Sequence, residues 1–275
     1  MIQNKDGSPL LQAGRTAIMG ILNATPDSFS DGGLFISASK AVDHAAEMVD
    51  GGADIIDIGG ESTRPGASPV SADEEMDRVI PLIEAISQRF DVMISIDTSK
   101  AAVMQSAVTA GAAMINDVRA LQEQGALQTA VELAVPVCLM HMLGQPQTMQ
   151  NKPVYADVTT EVRDFLSGRV DECVLAGINI NNLVLDPGFG FGKTRQQNFK
   201  LLNELEEIRS HSLPVLAGLS RKSLIGQTLG LDVNERVSAS IALALLAVSN
   251  GANILRVHDV RETCQAVRMV EAVVK

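Results

Sequence analysis

The chain has 275 residues, of which 46% are apolar and 3% aromatic, and its formal net charge is −11. This charge excludes a general nucleic-acid surface, which requires clustered lysine and arginine to neutralise phosphates. No apolar run reaches the roughly 18 residues of a membrane span, and no linker divides the sequence, so we expect one soluble domain over 1–275 with no membrane partner.

Two further features bear on the cellular location. The first 14 residues contain no apolar segment typical of a secretory signal, which favours the cytoplasm. Cys138, Cys173 and Cys264 are scattered without C-x-x-C spacing, so we interpret them as core residues rather than as a zinc site or a disulfide framework.

Short apolar runs rich in β-formers alternate with longer amphipathic stretches along the chain. The predicted strands span 16–22, 54–59, 92–97, 113–117, 136–141, 183–186, 214–218 and 253–258. Helical periodicity covers 39–50, 73–89, 157–175, 198–209 and 235–249. This alternation is typical of βα units around a parallel sheet. The predicted fold class is α/β, a single (β/α)8 TIM barrel.

A glycine-initiated pair recurs before every second predicted strand. The four pairs are Gly52-Ala53, Gly111-Ala112, Gly177-Ile178 and Gly251-Ala252. Glycine suits the residue after a helix, where the backbone is often left-handed. The recurrence indicates four repeats of two βα units each, and hence eight strands.

A doubly wound sheet is the alternative fold, but no G-x-G-x-x-G motif follows the first strand. The run 188–194 (GFGFGKT) looks like a P-loop, yet Pro187 stands where the first glycine of that motif is required. We therefore interpret it as a glycine-rich loop after the sixth strand.

Polar residues follow almost every predicted strand. They are Asn23, 61–64, Asp97, Asn116, Asp117, His141, Asp186, 220–222, Arg256 and His258. In a (β/α)8 barrel these strand ends face one mouth. Because a ring of unpaired charges there would cost stability, the pattern predicts a polar ligand.

Several of these residues indicate what the ligand is. Asp97, Asn116 and Asp186 suit a flat heterocycle with several N–H donors, although either carboxylate could instead cap the helix that follows it. Lys222 could be a Schiff-base lysine, a donor to a bound ring or a solvated charge. Arg256 faces the interior and requires an anionic partner, and barrels often bind phosphate near the seventh and eighth strands.

Five segments together resemble the dihydropteroate synthase family. They are 21–33 (ILNATPDSFSDGG), 57–66 (DIGGESTRPG), 186–193 (DPGFGFGK), 220–223 (SRKS) and 256–260 (RVHDV). The likeness runs from about Ile18 to the C-terminus and leaves residues 1–14 without an assigned role. Ala24 stands where bacterial members more often have valine.

The resemblance implies a pterin-binding barrel and a transferase of folate biosynthesis. In this reaction, p-aminobenzoate attacks the exocyclic methylene of 6-hydroxymethyl-7,8-dihydropterin diphosphate, diphosphate leaves, and the new C–N bond gives 7,8-dihydropteroate. It further implies Mg2+ as cofactor, a homodimer, and competition of sulfonamides with p-aminobenzoate.

The resemblance also implies roles for individual residues, with Asp97, Asp186 and Lys222 as catalytic groups. The pterin is expected on Asp97, Asn116, Met140, Asp186, Phe191 and Lys222. The diphosphate is expected on Asn23, Arg256 and His258, with Mg2+ bound at Asn23. The p-aminobenzoate is expected near Phe29, Thr63, Arg64, Pro65, Phe189, Arg221 and Ser223.

Three alternative functions remain. A pterin-binding methyltransferase barrel would share the ring pocket, but it has no diphosphate to expel. A Schiff-base aldolase would use Lys222 covalently. A folate-binding protein on a retained barrel would bind pterins without turnover.

Overall fold

The computed structural model describes residues 2–3, 7–24, 33–62, 66–144 and 153–274. Strands and helices alternate along it in the order β1 (Ala17–Asn23), α1 (Gly33–Asp50), β2 (Ile55–Gly59), α2 (Ala72–Arg89), β3 (Met93–Asp97), α3 (Ala101–Ala110), β4 (Met114–Asp117), α4 (Ala126–Leu133), β5 (Val137–Met140), α5 (Val158–Ala176), β6 (Leu183–Asp186), α6 (Arg195–Asn203), β7 (Leu216–Ala217), α7 (Ser223–Leu229), α8 (Val237–Ser249), β8 (Ile254–Val257) and α9 (Val260–Val274).

The strands form one parallel sheet in the order β6-β5-β4-β3-β2-β1-β8-β7. A parallel bridge between Leu185 and Val215 joins the two outer strands and brings the sheet round to a nearly closed barrel. The predicted (β/α)8 fold is confirmed, and all eight predicted strands are present.

The helix predicted over 198–209 differs from the observed structure at both ends. α6 begins earlier because Thr194 and Gln197 form a reciprocal capping box ahead of it. It ends at Asn203 and is followed by two short 3-10 turns, the second of which contains His211 in a left-handed conformation. The backbone already leaves α-helical geometry at Glu204 (φ −104°, ψ 23°), so the periodic pattern overran the helix end.

The four recurring glycines lie where the repeat predicted them. Gly52, Gly111, Gly177 and Gly251 have φ between 96° and 120°, and each precedes an even-numbered strand. The left-handed backbone at these positions lets each helix end and the chain enter the next strand.

Side chains alternate between two faces of the barrel wall, because successive residues of a strand point in opposite directions. Outward residues such as Ile56, Ile94 and Leu255 pack against the helices in the larger core. Inward residues such as Met93 and Val184 fill the lower half of the barrel interior. Two or four positions further along most strands, the inward residues become polar, whereas β5 ends in Met140. This change places the candidate site at the carboxyl ends.

The N-terminal segment closes the opposite end of the barrel. Ile2 and Leu10 are buried among the inward-facing residues of the strands. Gln3 and Pro9 form an antiparallel bridge, and the Leu10 amide donates to the Ile2 carbonyl at 2.9 Å. Residues 2–3 and 7–14 of the segment without an assigned role therefore plug the barrel bottom.

Cys138 and Cys173 are buried and Cys264 is partly buried, all as free thiols. Among the helices of the described ranges, none combines the length and apolarity needed to cross a membrane.

Candidate active site

Asp57, Asp97, Asn116 and Arg256 form one hydrogen-bonded cluster at the barrel mouth. Arg256 donates from Nε to Asp57 Oδ2 at 2.6 Å and from Nη2 to Asp97 Oδ2 at 2.7 Å. Asn116 Nδ2 donates to the same Asp57 oxygen at 3.0 Å. The structure thus brings together three predicted site residues around Asp57, which sequence reasoning missed. The sequence could have indicated Asp57, since it lies two residues after inward-facing Ile55 on the same strand and therefore points to the same side.

The partners of Arg256 correct one step of the sequence argument. A bound anion was expected because a charged arginine faces the interior, but the carboxyl groups of Asp57 and Asp97 already accept its hydrogen bonds. The Asp57 side chain is 0% exposed, and its Oδ1 is buried without a hydrogen-bond partner in the described part of the chain. Burial raises the pKa of Asp97 to about 7, against the opposing effect of Arg256. The Asp97 carboxyl therefore titrates near neutral pH.

Asp186 and Lys222, two side chains of opposite charge, lie beside this cluster. Asp186 is buried, and its Oδ1 accepts from the Gly188 amide at 2.7 Å. Lys222 Nζ donates to the Phe189 carbonyl and lies 4.5 Å from the centroid of the Phe191 ring. Burial raises the pKa of Asp186, an effect that Lys222 opposes, and burial lowers the pKa of Lys222 to about 8.

His258 and Arg221 have partners on neighbouring strand ends. Ser220 Oγ and His258 Nδ1 are 3.0 Å apart, and the His258 amide donates to the same hydroxyl at 3.2 Å. Arg221 donates from Nε to Asp259 at 3.0 Å and forms a second bond from Nη2 at 2.5 Å. Arg221 is thus held by an internal carboxylate, which orients its guanidinium but also satisfies part of its charge.

The residues expected at p-aminobenzoate divide into three groups. Phe29, Thr63, Arg64 and Pro65 lie outside the described residues. Arg221 is half-buried and Ser223 is exposed at the start of α7. Phe189 is 0% exposed and belongs to the core behind the barrel wall. Its ring therefore does not reach the mouth, and only its carbonyl serves the site.

The remaining predicted residues lie at strand ends around the mouth. Met140 is buried at the end of β5, opposite Asp186 in the strand register. Asn23 ends β1 opposite Gly59 and is half-buried. Phe191, half-buried in the loop after β6, stacks on Lys222.

Two polar strand-end residues serve the fold instead. Asp117 accepts from the Ser99 hydroxyl and from the Arg119 and Leu121 amides, the latter two at 2.8 and 2.7 Å, so its oxygens fix the loop after β4. His141 is buried, and burial lowers its pKa to about 3, with Lys193 adding to the effect. It is a neutral histidine of the core rather than a ligand-binding group at the mouth.

A (β/α)8 barrel with paired carboxylates, an amide and a lysine at its mouth defines the class of barrel enzymes that bind a small polar heterocycle. The family profile described as pterin binding enzyme matches residues 19–258. Dihydropteroate synthase of Escherichia coli (strain K12) is 55% identical over 255 residues, which cover 93% of this chain and 90% of the relative. That of Synechocystis is 48% identical over 94% of this chain and 90% of its own length.

Solved structures agree with these relatives. Yersinia pestis dihydropteroate synthase in a sulfonamide drug complex superposes with a TM-score of 0.91 at 53% identity, covering 96% of each chain. The Xanthomonas albilineans enzyme in complex with 7,8-dihydropteroate gives 0.87 at 45% identity, covering 96% of this chain and 95% of that one. The chain belongs to the dihydropteroate synthase family of pterin-binding enzymes.

Proposed function

We propose that this chain condenses 6-hydroxymethyl-7,8-dihydropterin diphosphate with p-aminobenzoate to give 7,8-dihydropteroate and diphosphate. The observation that carries the proposal is the group of Asp97, Asn116, Asp186 and Lys222 at one barrel mouth, where Asn116 and Asp186 are buried and Asp97 and Lys222 are half-buried. A pterin edge presents N–H donors beside a carbonyl, and buried donors require acceptors. The two carboxylates and the amide supply acceptors, while Lys222 supplies a donor.

The proposed diphosphate site is formed by Asn23, Arg256 and His258. Arg256 can exchange one carboxylate for a phosphate oxygen, because its planar guanidinium donates in two directions. The Ser220 hydroxyl lies 3.0 Å from Nδ1 of His258, and this contact orients the imidazole just after β8, the part of a barrel where phosphate groups often bind. The family implies Mg2+, and the amide oxygen of Asn23 fits a cation that binds through few protein oxygens and substrate phosphates. When bound, Mg2+ would neutralise charge on the departing diphosphate.

The proposed chemistry requires no covalent nucleophile. A weakly nucleophilic aromatic amine needs a reactive carbon, so the site must promote departure of diphosphate and tolerate positive charge at the pterin methylene. Asp97 and Asp186 supply a negative field for that charge. Lys222 Nζ is engaged by the Phe189 carbonyl and the Phe191 ring, an arrangement that favours a hydrogen-bond donor over a Schiff-base amine.

The proposed p-aminobenzoate site comprises Arg221 and Ser223 with Phe29, Thr63, Arg64 and Pro65. A guanidinium suits a benzoate carboxylate. The burial of Phe189 removes its side chain from this set.

We also propose a cytoplasmic homodimer, with exposed Leu246 on α8 and exposed Met269 and Val273 on α9 as interface candidates. Sedimentation of Leu246→Glu beside the unaltered chain tests the dimer.

Release of diphosphate from purified protein with dihydropterin diphosphate and Mg2+, with and without p-aminobenzoate, tests the function. We expect release that depends on p-aminobenzoate and matches dihydropteroate formation, with inhibition by a sulfonamide. Pterin binding without release would indicate the methyltransferase or the binding protein instead. Borohydride trapping of a carbonyl substrate on Lys222 would indicate the aldolase.

A further inference from the structure

The loop between β6 and α6 carries a buried lysine that none of the proposed catalytic steps uses. Lys193 is 3% exposed. Its ammonium nitrogen lies 2.9 Å from the Gly188 carbonyl, 3.1 Å from the Phe191 carbonyl and 3.0 Å from Nδ1 of His141. The His141 carbonyl lies a further 3.4 Å away. Burial lowers the pKa of Lys193 to about 7, and in its charged form the three N–H donors can all be satisfied by these acceptors.

The contact with His141 fixes the state of that ring. His141 is buried, and its low pKa keeps it neutral, so Nδ1 accepts from Lys193 while Nε2 carries the proton. The ring is held edge-on to Phe165 with centroids 5.0 Å apart. His141 follows the end of β5, and its position therefore ties Lys193 to the rigid barrel wall.

The loop itself has little intrinsic order. Gly188, Gly190 and Gly192 all have positive φ, between 64° and 82°, and glycine loses more backbone freedom on ordering than any other residue. A side chain at Gly188 would overlap the His141 carbonyl oxygen, and one at Gly192 would come within 2.6 Å of the Leu143 carbonyl oxygen. The loop therefore lies directly on the β5 end and needs contacts that hold it there.

The same loop determines where the pterin residues stand. The Gly188 amide donates to Asp186, whereas the Phe189 carbonyl and the Phe191 ring hold Nζ of Lys222. The two carbonyls that Lys193 binds, those of Gly188 and Phe191, lie on either side of the Phe189 carbonyl. Displacement of the loop would move the amide that bonds Asp186, and also the carbonyl acceptor and the ring that position Lys222.

We propose that Lys193, braced by neutral His141, is a positioning residue for the pterin subsite, which holds the glycine-rich loop so that Lys222 and Asp186 face the ring. Lys193 touches no substrate in this arrangement. This inference rests on the proposed function, since it assigns Asp186 and Lys222 to the pterin.

The experiment compares Lys193→Met, which keeps the length of the side chain and removes its donors, with the unaltered chain. Lys200→Met is the matched control, because Lys200 lies on α6 and bonds Asp157 near the surface. Binding of 6-hydroxymethylpterin is measured by calorimetry, and KM and kcat are measured for each substrate. We expect Lys193→Met to weaken pterin binding and raise the pterin KM by about tenfold or more, with the p-aminobenzoate KM changed less than twofold and Lys200→Met unchanged.

His141→Phe is the second variant, in case Lys193→Met fails to fold, since it keeps a ring against Phe165 and removes only one acceptor of Lys193. It should shift the pterin KM in the same direction by about threefold or more. Equal losses for both substrates, or unchanged pterin binding in a folded variant, would overturn the positioning role. Absence of diphosphate release from the unaltered chain would instead reject the proposed function, and calorimetry would still decide the role of Lys193.

Discussion

Arg256 on β8 and Asp97 on β3 are joined across the barrel mouth by an ion pair of 2.7 Å. Arg256 also bonds Asp57 on β2, so one guanidinium connects three strand ends. We predict that Arg256→Lys lowers kcat/KM for dihydropterin diphosphate about 100-fold. The reason is that the ammonium group of lysine cannot donate hydrogen bonds in two fixed directions as the planar guanidinium does. Steady-state kinetics at saturating p-aminobenzoate measures this.

The matched control for that substitution is Arg89→Lys, since Arg89 is exposed and pairs with Asp43 at 3.8 Å. Surface pairs contribute about 0–1 kcal/mol, so both kinetics and stability should stay unchanged. Arg256→Met should also destabilise the fold, because loss of one partner of a buried pair costs about 3–5 kcal/mol. Unaltered kinetics in Arg256→Lys would contradict the proposed diphosphate role.

Asp97→Asn should abolish turnover, and its stability relative to the unaltered chain should rise as the pH rises. The pKa of Asp97 is raised by burial from 3.8 to about 7 in the folded chain. The folded state thus keeps a proton that the unfolded state loses between about pH 4 and 7, and stability falls as pH rises through that window, by up to about 4 kcal/mol. Asparagine is never charged, so it avoids this loss.

Urea unfolding of both proteins at pH 5 and pH 8 measures the difference. The stability of Asp97→Asn relative to the unaltered chain should increase from pH 5 to pH 8. A variant whose relative stability is the same at both values would show that Asp97 is not desolvated as the structure indicates.

Lys222 should set an alkaline limit on activity. Burial lowers its pKa to about 8, partly offset by Asp186, so the ammonium loses its proton as pH rises through this value and the attraction to Asp186 disappears. We predict that kcat/KM for the pterin substrate falls above about pH 8. In Lys222→Arg, whose side chain stays charged, residual activity should show no such fall, and an identical alkaline limit would assign the titration to another group.

The barrel and most of the mouth could be predicted from the sequence because they depend on local patterns. Alternation along the strands and glycines after the helices indicated the fold, and strand-end positions indicated Asp97, Asn116 and Asp186. In each case the signal lies within a few residues of the feature. Strand ends converge in a parallel barrel whatever the details of packing.

Other features depend on which distant residues meet. The partners of Arg256 lie on β2 and β3, and nothing near Arg256 in the chain indicates that two carboxylates neutralise it. Phe189 and Phe191 are separated by one glycine, and either ring could have faced the mouth. Packing in the core between the barrel wall and the helices, together with the bond from Lys222 to the Phe189 carbonyl, turns the Phe189 ring away from the barrel interior and leaves Phe191 at the mouth.

Substitution in the N-terminal segment that fills the barrel bottom should change the stability of the protein without changing its catalysis. Leu10 is 1% exposed and packs among the inward-facing residues at the barrel bottom. Leu10→Ala should lower the free energy of unfolding by about 2–5 kcal/mol, because it removes buried methyl groups and leaves a cavity. The candidate site lies at the opposite end of the strands, so KM for both substrates should not change.

Leu175→Ala is the control of identical chemistry, since Leu175 is 90% exposed at the end of α5. A surface substitution of this kind changes stability by about 0.5 kcal/mol or less. Urea unfolding and steady-state kinetics on the three proteins separate the effects. A raised KM in Leu10→Ala would mean that the plug and the mouth are coupled through the barrel interior, since close-packed interiors transmit strain; an unchanged KM with reduced stability would establish the plug as purely structural.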